Sequence, residues 1–404
     1  MSDIAPSTAG MRPKLPVPVD PSEVVRRVRT VLPGAESRVA LHEPRFMGNE
    51  RAYVTDCIDT AWVSYAGSYV GKFEEALAET CGVNNAVAVS SGTTALHVAL
   101  TVGGVHTGDE VLVPALTFVA SANAIVHAGA VPHFVDVDEA TFGVCAAALD
   151  TYLTRVGERR SGALCNRKTG RRISAILPVH IFGHPVDMDS LTDVALRHGL
   201  ITIEDATEAI GSRYKARPCG SLAPLATLSF NGNKIVTTGG GGAILTNDNA
   251  LAKRLRHLTT TAKIPHRWAF LHDEVGWNFR LPNLNAALGL AQIERLELML
   301  AAKRRLQQRY AEAFADVAGA HIFVETPFAQ SNYWLIALVL ERGQECMLEP
   351  ILTVTNDAGI ATRPAWTPMH QLPMYASNPR AELPMTESIV RRVVSLPSSP
   401  FLAP

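Results

Sequence analysis

The feature that most constrains the fold of this chain is a regular alternation of short apolar runs and helical segments between residues 86 and 257. The runs predict strands because they are only four or five residues long and rich in Val, Ile, Leu and Ala: Ala86–Val89, Glu110–Val113, Val131–Val135, Ala175–Val179, Ile201–Glu204, Ala226–Phe230 and Ala243–Thr246. Helical periodicity marks segments between several of them: Thr94–Val102, Phe118–Ala128, Met188–His198 and Leu251–His257. This order predicts an α/β fold, with a mostly parallel seven-stranded sheet between helices and ligands beyond the carboxyl ends of its strands.

The remaining sequence predicts two further segments around this large domain. Residues 1–40 form a Pro-rich leader and N-terminal segment, in which a helical pattern begins only at Pro21–Leu32. The large domain is predicted over residues 41–282. A long helix at Asn283–Ala315 and a strand near Tyr333–Leu340 then predict a smaller C-terminal α/β domain over residues 283–404.

Composition and charge exclude several classes of protein. The chain has 37 basic and 38 acidic residues, a net charge of −1 and no basic cluster, which argues against a nucleic-acid partner. No apolar run approaches the roughly 18 residues of a membrane span, and the N-terminus lacks the apolar core of a signal peptide, so a cytoplasmic protein without a membrane partner is expected. The six cysteines are scattered, and Gly183 and Pro185 break any helix that would pair His180 with His184, so no metal site is expected.

Three polar motifs follow predicted strands, and each alone has an ordinary structural explanation. Ser90–Thr94 joins a strand to a helix N-terminus, which favours anion binding but also fits a plain helix cap. Asp205 ends another strand, and Lys234 lies in a loop of small residues, where a lysine is usually a solvated surface group. Together they supply a phosphate site, an anion for a pyridine nitrogen and an amine, which are the groups that pyridoxal 5′-phosphate (PLP) requires.

The chain resembles the sugar-nucleotide aminotransferases of the DegT type, which are fold-type I PLP enzymes. The resemblance extends from about Leu41 to Pro400 and rests on Ser91–Leu96, Val113–Phe118, Glu204–Ala206 and Ser229–Phe230 with Lys234. It implies that Lys234 is the catalytic Schiff-base lysine and that the active enzyme is a homodimer whose site is shared across the interface. Relatives usually continue into a further helix at the C-terminus, so a shortened C-terminal domain is expected.

The same resemblance implies a set of cofactor-binding residues. Asp205 corresponds to the carboxylate on the pyridine nitrogen, and Phe118 to an aromatic residue that stacks on the ring. Gly92, Thr93 and Ser229 match phosphate-binding positions, with Thr94 as a weaker candidate, and Asn278 matches a residue that reaches the phosphate from the neighbouring subunit. Glu208 departs from the family pattern of His or Gln near the ring hydroxyl, so it is a site residue whose role is left open.

Several further sequence motifs, among them Leu41–Pro44, Gly48–Glu50 and His180–Pro185, resemble those of one branch of the family. That branch aminates UDP-linked 4-keto-6-deoxy-N-acetylhexosamine in legionaminic acid or bacillosamine synthesis, with L-glutamate as the donor. Arg280, Arg363 and His370 are candidates for the diphosphate, although solvated surface positions explain them equally well. Two alternatives remain: a sugar dehydratase of the same fold, which Lys234 argues against, and a non-catalytic regulator that senses a sugar nucleotide.

Overall fold

The computed structural model describes residues 18–32 and 38–402, so most of the predicted leader, residues 1–17 and 33–37, lies outside the described residues. The described helices are α1 (Pro21–Val31), α2 (Glu50–Asp59), α3 (Ser68–Cys81), α4 (Gly92–Val102), α5 (Val119–His127), α6 (Ala146–Val156), α7 (Met188–His198), α8 (Asn249–Thr259), α9 (Asn283–Ile293), α10 (Leu296–Ala313), α11 (Leu348–Asp357) and α12 (Pro384–Ile389). None of them is long and apolar enough to cross a membrane.

The described strands form a large seven-stranded sheet, a small four-stranded sheet, a three-stranded sheet and two two-stranded hairpins. They are β1 (Asn85–Val89), β2 (Glu110–Pro114), β3 (Val131–Val135), β4 (Gly157–Arg160), β5 (Ala163–Asn166), β6 (Ile173–Ile176), β7 (Ile201–Asp205), β8 (Arg213–Tyr214), β9 (Arg217–Pro218), β10 (Leu225–Ser229), β11 (Gly242–Thr246), β12 (Lys263–Ile264), β13 (Leu271–His272), β14 (Ala320–Ile322), β15 (Ala329–Gln330), β16 (Ile336–Leu340), β17 (Arg363–Pro364) and β18 (Val393–Leu396).

The large sheet has seven strands in the order β1, β11, β10, β7, β6, β2, β3. Pairing is parallel from β10 through to β3, whereas β11 runs antiparallel to both of its neighbours, β1 and β10. All seven predicted strands are present, and the mostly parallel α/β sheet is confirmed. Because β11 is reversed, its amino end lies at the same edge as the carboxyl ends of the other six strands.

Both faces of this sheet are covered by apolar helix faces. Within β1, Ala86 and Ala88 belong to one buried core, and Val87 and Val89 belong to the core on the opposite face. The first core contains buried residues of α3, α6 and α7, and the second contains those of α4, α5 and α8. Alternation of β1 side chains between two cores explains why its sequence is apolar at nearly every position.

The predicted long helix Asn283–Ala315 is wrong, because the structure divides it into α9 and α10 at Glu294 and Arg295. The Glu294 carboxylate accepts hydrogen bonds from Asn49 Nδ2 (2.8 Å) and from the Tyr53 hydroxyl (2.7 Å), which ties the break to the start of α2. The side chain of Arg295 donates to the carbonyl of Met47. The sequence has neither Gly nor Pro at the break, and these contacts hold it against the start of α2.

The small sheet has the order β14, β16, β18, β17 with antiparallel pairs. The predicted helix near the N-terminus is confirmed as α1, which begins after the cap residue Asp20 and buries Val24, Val28 and Val31 in the core beside this sheet. The division between residues 282 and 283 stays a prediction.

Candidate active site

A cavity of about 300 Å³ lies at the carboxyl edge of the parallel strands. It gathers loops that follow β1, β2, β7 and β10 with the glycine loop that precedes β11, as expected where strand ends meet. Its lining consists of Ser91, Gly92, Thr93, Leu96, Thr117, Phe118, Ala120, Ser121, Val179, Asp205, Thr207, Glu208, Ser229, Asn231, Asn233, Lys234, Gly240, Gly241, Trp334 and Trp366. Seven of the predicted site residues therefore share one cavity: Gly92, Thr93, Phe118, Asp205, Glu208, Ser229 and Lys234.

The turn between β1 and α4 forms an ordered helix N-terminus at one end of the cavity. Ser91 Oγ accepts from the Thr94 N–H, and Thr94 Oγ1 accepts from the Ser91 N–H, both at 3.1 Å, which makes a capping box. This leaves the N–H groups of Gly92 and Thr93 without intrahelical partners. A Cβ on Gly92 would lie 2.7 Å from Ser229 Cβ, so only glycine allows this close approach of α4 to β10.

Asp205 ends β7 and is almost completely buried, with 1% of its surface exposed. Its Oδ2 accepts from the Ser121 hydroxyl at 2.7 Å, and its Oδ1 accepts from the Thr207 hydroxyl at 2.7 Å and the Thr207 N–H at 3.2 Å. These donors compensate for burial of the carboxylate and fix its orientation toward the cavity.

The preceding residue, Glu204, holds the end of β7 in place through hydrogen bonds. Its carboxylate accepts from the N–H groups of Gly220 (2.6 Å) and Leu222 (2.8 Å) and lies 3.0 Å from His180 Nε2. His180 Nδ1 accepts the Val186 N–H at 3.1 Å. His180, Glu204 and Cys219 lie close enough together to ligate a metal, but hydrogen bonds to the protein already occupy the imidazole and the carboxylate, which gives the cluster a structural role.

Lys234 extends into the cavity from the loop after β10, and its amine lies between a carboxylate and an aromatic ring. Nζ lies 3.3 Å from Glu208 Oε1 and 3.7 Å from the ring centroid of Trp334. The Trp334 indole N–H donates to the carbonyl of Asn233 at 2.8 Å, which holds the ring beside the lysine. Burial raises the pKa of Glu208, and the charge of Lys234 opposes that rise.

Aromatic side chains form the opposite wall of the cavity. Phe118 is 50% exposed although it lies in a concave site, and its ring centroid is 6.1 Å from that of Trp366. Trp366 also packs on Phe182, with 5.1 Å between centroids. An aromatic ring left half exposed in a cavity offers a surface for a flat ligand.

Two predicted cofactor residues lie outside the cavity lining. The Thr94 side chain is used in the capping box, so its contribution in this chain is to order the turn. Asn278 is exposed, and its Oδ1 accepts from Arg280 Nε (3.0 Å) and Nη2 (2.7 Å). Its predicted contact with the phosphate of a second subunit stays a prediction.

The structure also leaves all three predicted diphosphate-binding residues outside the cavity. The Arg280 guanidinium stacks on Tyr65 at 3.6 Å, Arg363 Nη1 donates to Asn356 Oδ1 at 3.0 Å, and His370 Nε2 lies 3.5 Å from Glu387. Among the described lining residues, Lys234 is the one cationic side chain. A diphosphate at this site therefore needs cations from elsewhere.

The lining residues fit PLP well. The free N–H groups of Gly92 and Thr93 suit its phosphate, the Asp205 carboxylate suits its pyridine nitrogen, and the half-exposed Phe118 ring suits its flat face. A model of the DegT/DnrJ/EryC1/StrS aminotransferase family matches residues 45–404.

The chain belongs to this aminotransferase family. The predicted family is thereby confirmed, as are PLP as the cofactor and the enzyme class, because members of the family are PLP-dependent aminotransferases.

The aminotransferase is similar to two curated relatives named GDP-perosamine synthase. That of Caulobacter vibrioides is 40% identical over 365 residues, covering 89% of this chain and 93% of the relative. That of Escherichia coli O157:H7 is 36% identical and covers 90% and 94%. A crystal structure of a DegT DnrJ EryC1 StrS aminotransferase from Brucella abortus superposes with a TM-score of 0.79 at 28% identity, over 87% of this chain and 91% of that one.

Sequence reasoning missed several residues of the aminotransferase site. Ser121 and Thr207 orient Asp205, and Trp334 and Trp366 come from the C-terminal part of the chain. Ser121 lies within a predicted helix, with no local signal of its partner 84 positions away. Thr207 was detectable, because a hydroxyl two residues after a strand-end Asp commonly forms a local hydrogen bond with it.

Proposed function

We propose that the protein transfers an amino group from L-glutamate to the keto carbon of a nucleotide-linked 4-keto-6-deoxy sugar, which forms a 4-amino sugar. The observation that carries this proposal is that the amine of Lys234, the carboxylate of Asp205 and the free N-terminus of α4 line one cavity. The relatives named GDP-perosamine synthase support a nucleotide-linked sugar as the substrate. The 4-keto-6-deoxy acceptor is the one that the sequence resemblance implies.

PLP, when bound, supplies a carbonyl group that takes up the amino group and a conjugated ring that accepts electrons. Nζ of Lys234 is the amine that bonds the cofactor and, once released, carries a proton to and from the reacting carbon. Asp205, oriented by Ser121 and Thr207, places a negative charge against the ring nitrogen. Gly92 and Thr93 hold the phosphate, while Phe118 and the two tryptophans keep water away from the reacting groups.

A GDP-linked sugar is the preferred acceptor in this proposal. Two relatives with 40% and 36% identity over about nine tenths of this chain are named for a GDP-linked product. The UDP-linked N-acetyl sugar rests on sequence motifs such as Leu41–Pro44, Gly48–Glu50 and His180–Pro185 alone, so it is the competing acceptor. Lys234 argues against the dehydratase alternative, because that subgroup has His at this position.

The test offers purified, PLP-loaded enzyme L-glutamate together with either GDP-4-keto-6-deoxymannose or UDP-4-keto-6-deoxy-N-acetylglucosamine. We expect 2-oxoglutarate and a GDP-linked 4-amino sugar, with kcat/KM at least about tenfold higher for the GDP sugar; a single well-satisfied polar contact to the base accounts for such a ratio. Mass spectrometry of the sugar nucleotide measures it. Faster reaction with the UDP sugar would make the UDP-linked N-acetyl sugar the acceptor, and cofactor loading without either product would support the sensing alternative.

The proposal includes a homodimer that shares its active sites. The hairpin β12–β13 and its surroundings expose large apolar side chains, including Trp268 (74%) and Phe270 (80%), and Trp62 and Tyr65 are also exposed. Apolar side chains grouped on a surface indicate a protein interface. Lys263 and Arg267 of the same hairpin carry the cations that the cavity lacks, and Asn278 lies nearby in the chain.

A shared site predicts that two inactive variants complement each other. Lys234→Ala and Asn278→Ala are each expected to lose activity, but a mixed dimer would contain one site with both wild-type residues. Random reassociation at equal amounts should restore about a quarter of wild-type activity. The measurement is amino transfer after mild dissociation and mixing. Activity no higher than the sum of the separate variants would mean that each site is built within one chain.

A further inference from the structure

We propose that Glu208 is a positioning residue that acts through Lys234: its carboxylate holds the proton on the lysine nitrogen and holds that nitrogen in the cofactor cavity. This inference rests on the proposed function, since it assigns a role within the same site. It assigns a role to a site residue whose role the sequence resemblance leaves open.

The first argument is the isolation of the pair from water. The side chains of Lys234 and Glu208 are only 12% and 4% exposed, and 3.3 Å separates Nζ from Oε1. Trp334 covers Nζ at 3.7 Å. In such surroundings water screens the attraction between opposite charges only weakly, so the two side chains interact strongly.

The second argument is that the carboxylate is fixed. Glu208 Oε2 accepts the N–H of Phe182 at 2.8 Å. Phe182 adopts φ 57°, a left-handed conformation that is unfavourable for a bulky residue and is maintained by its surroundings. Asn332 Nδ2 donates to the carbonyls of Glu208 and Ile210, both at 2.9 Å, so the turn that carries Glu208 is clamped as well.

The third argument concerns the other titratable groups near this pair. Asp205 of β7 interacts electrostatically with Glu208, and His42 interacts electrostatically with both Lys234 and Lys303 of α10. Burial lowers the pKa of His42, and the charges of Lys303 and Lys234 act in the same direction; burial also lowers the pKa of Lys303. Asp205 is satisfied by Ser121 and Thr207, so Glu208 is the anion that pairs directly with the lysine amine.

The proposed role of Glu208 involves the transfer of one proton between two side chains. The proton stays on the nitrogen of Lys234 while Glu208 is ionised, and it can pass to Oε1 of Glu208 to leave a neutral amine and a neutral acid. One N–H bond breaks and one O–H bond forms, with no oxidation or reduction. Burial and the nearby charge of Asp205 raise the pKa of Glu208, and the charge of Lys234 opposes that rise, so the lysine is the group that favours the ionised carboxylate.

The test is a spectrophotometric pH titration of the PLP-loaded enzyme, which follows the visible absorption of the cofactor as its bond to Lys234 loses a proton. We expect Glu208→Gln to lower the midpoint by about 1–3 pH units, because the neutral amide keeps the shape and the Phe182 contact but removes the charge. If the wild type shows no transition before it unfolds at alkaline pH and Glu208→Gln does show one, the result supports the proposal equally. Glu208→Asp, which keeps the charge, should retain a midpoint closer to that of the wild type and serves if Glu208→Gln does not fold.

Glu110→Gln is the matched control. Glu110 is also a buried carboxylate and accepts from Asn166 Nδ2 at 2.9 Å and Thr169 Oγ1 at 2.6 Å, but it begins β2 at the edge of the sheet away from the cavity. Its loss should lower stability without moving the midpoint. Midpoints within a few tenths of a unit in wild type and Glu208→Gln would overturn this inference alone. A wild type that takes up no cofactor would overturn the proposed function and this inference together.

Discussion

Replacement of Lys234 by Ala should reduce amino transfer by about 10⁴-fold or more, since both the cofactor bond and the proton transfer are lost. The cavity offers no substitute, because no other lysine is found among its described lining residues. Borohydride reduction followed by peptide mass spectrometry measures the bond directly. Wild-type protein should carry the reduced cofactor on the peptide that contains Lys234, and the variant should carry none.

Lys234→Arg separates loss of the amine from loss of its charge. Arginine can pair with Glu208 and lie against Trp334 but does not bond the cofactor. It should therefore fold with near wild-type stability and remain inactive. Substantial activity in either variant, or a cofactor label on a different lysine, would remove Lys234 from its assigned role.

Replacement of Asp205 by Asn should lower kcat by about 10²–10³-fold, the range found when one preorganised electrostatic contact to a transition state is removed. The amide has nearly the same shape, and the Ser121 and Thr207 hydroxyls can rotate to donate or accept, so the fold should be preserved. Stopped-flow absorbance of the loaded enzyme with L-glutamate measures the rate of the first half-reaction.

Asp109→Asn provides the comparison for Asp205→Asn. Asp109 is 7% exposed and pairs with Arg172 at 2.6 Å, but it lies just before β2 and far from the strand ends that form the cavity. Its replacement should lower thermal stability and leave kcat within a few-fold. Equal losses of kcat in the two variants would indicate that Asp205 acts through stability alone.

Local sequence signals are sufficient to predict an element when the residues that form it lie in one short stretch of the chain. The seven strands of the large sheet, helix α7 and the capped turn at Ser91 follow from apolar runs, periodicity and small polar residues. The order of residues along the chain also assigns Asp205 and Lys234 to the same sheet edge, because both follow parallel neighbouring strands. Amino-acid order and strand direction are therefore enough to bring Lys234, Asp205 and Gly92 together in one site.

Features that depend on distant contacts cannot be inferred from the sequence. The break between α9 and α10 is held by Asn49 and Tyr53, more than 240 positions away. The same holds for Trp334, which reaches the Lys234 loop through a hydrogen bond across 101 positions. The sequence resemblance singles out Glu208 without assigning it a role, and its contacts with Lys234 and Phe182 depend on the folded geometry.

The reversed strand β11 has a consequence for the order of events during synthesis. Among the strands that the structure describes, β1 forms a ladder with β11 alone, and the partners Asn85 and Thr246 are separated by 161 positions. A ribosome must therefore release residue 246 before the edge that carries the Ser91 turn can join the sheet. Contacts this remote close slowly, so nascent chains should capture PLP only after more than half of the polypeptide has emerged.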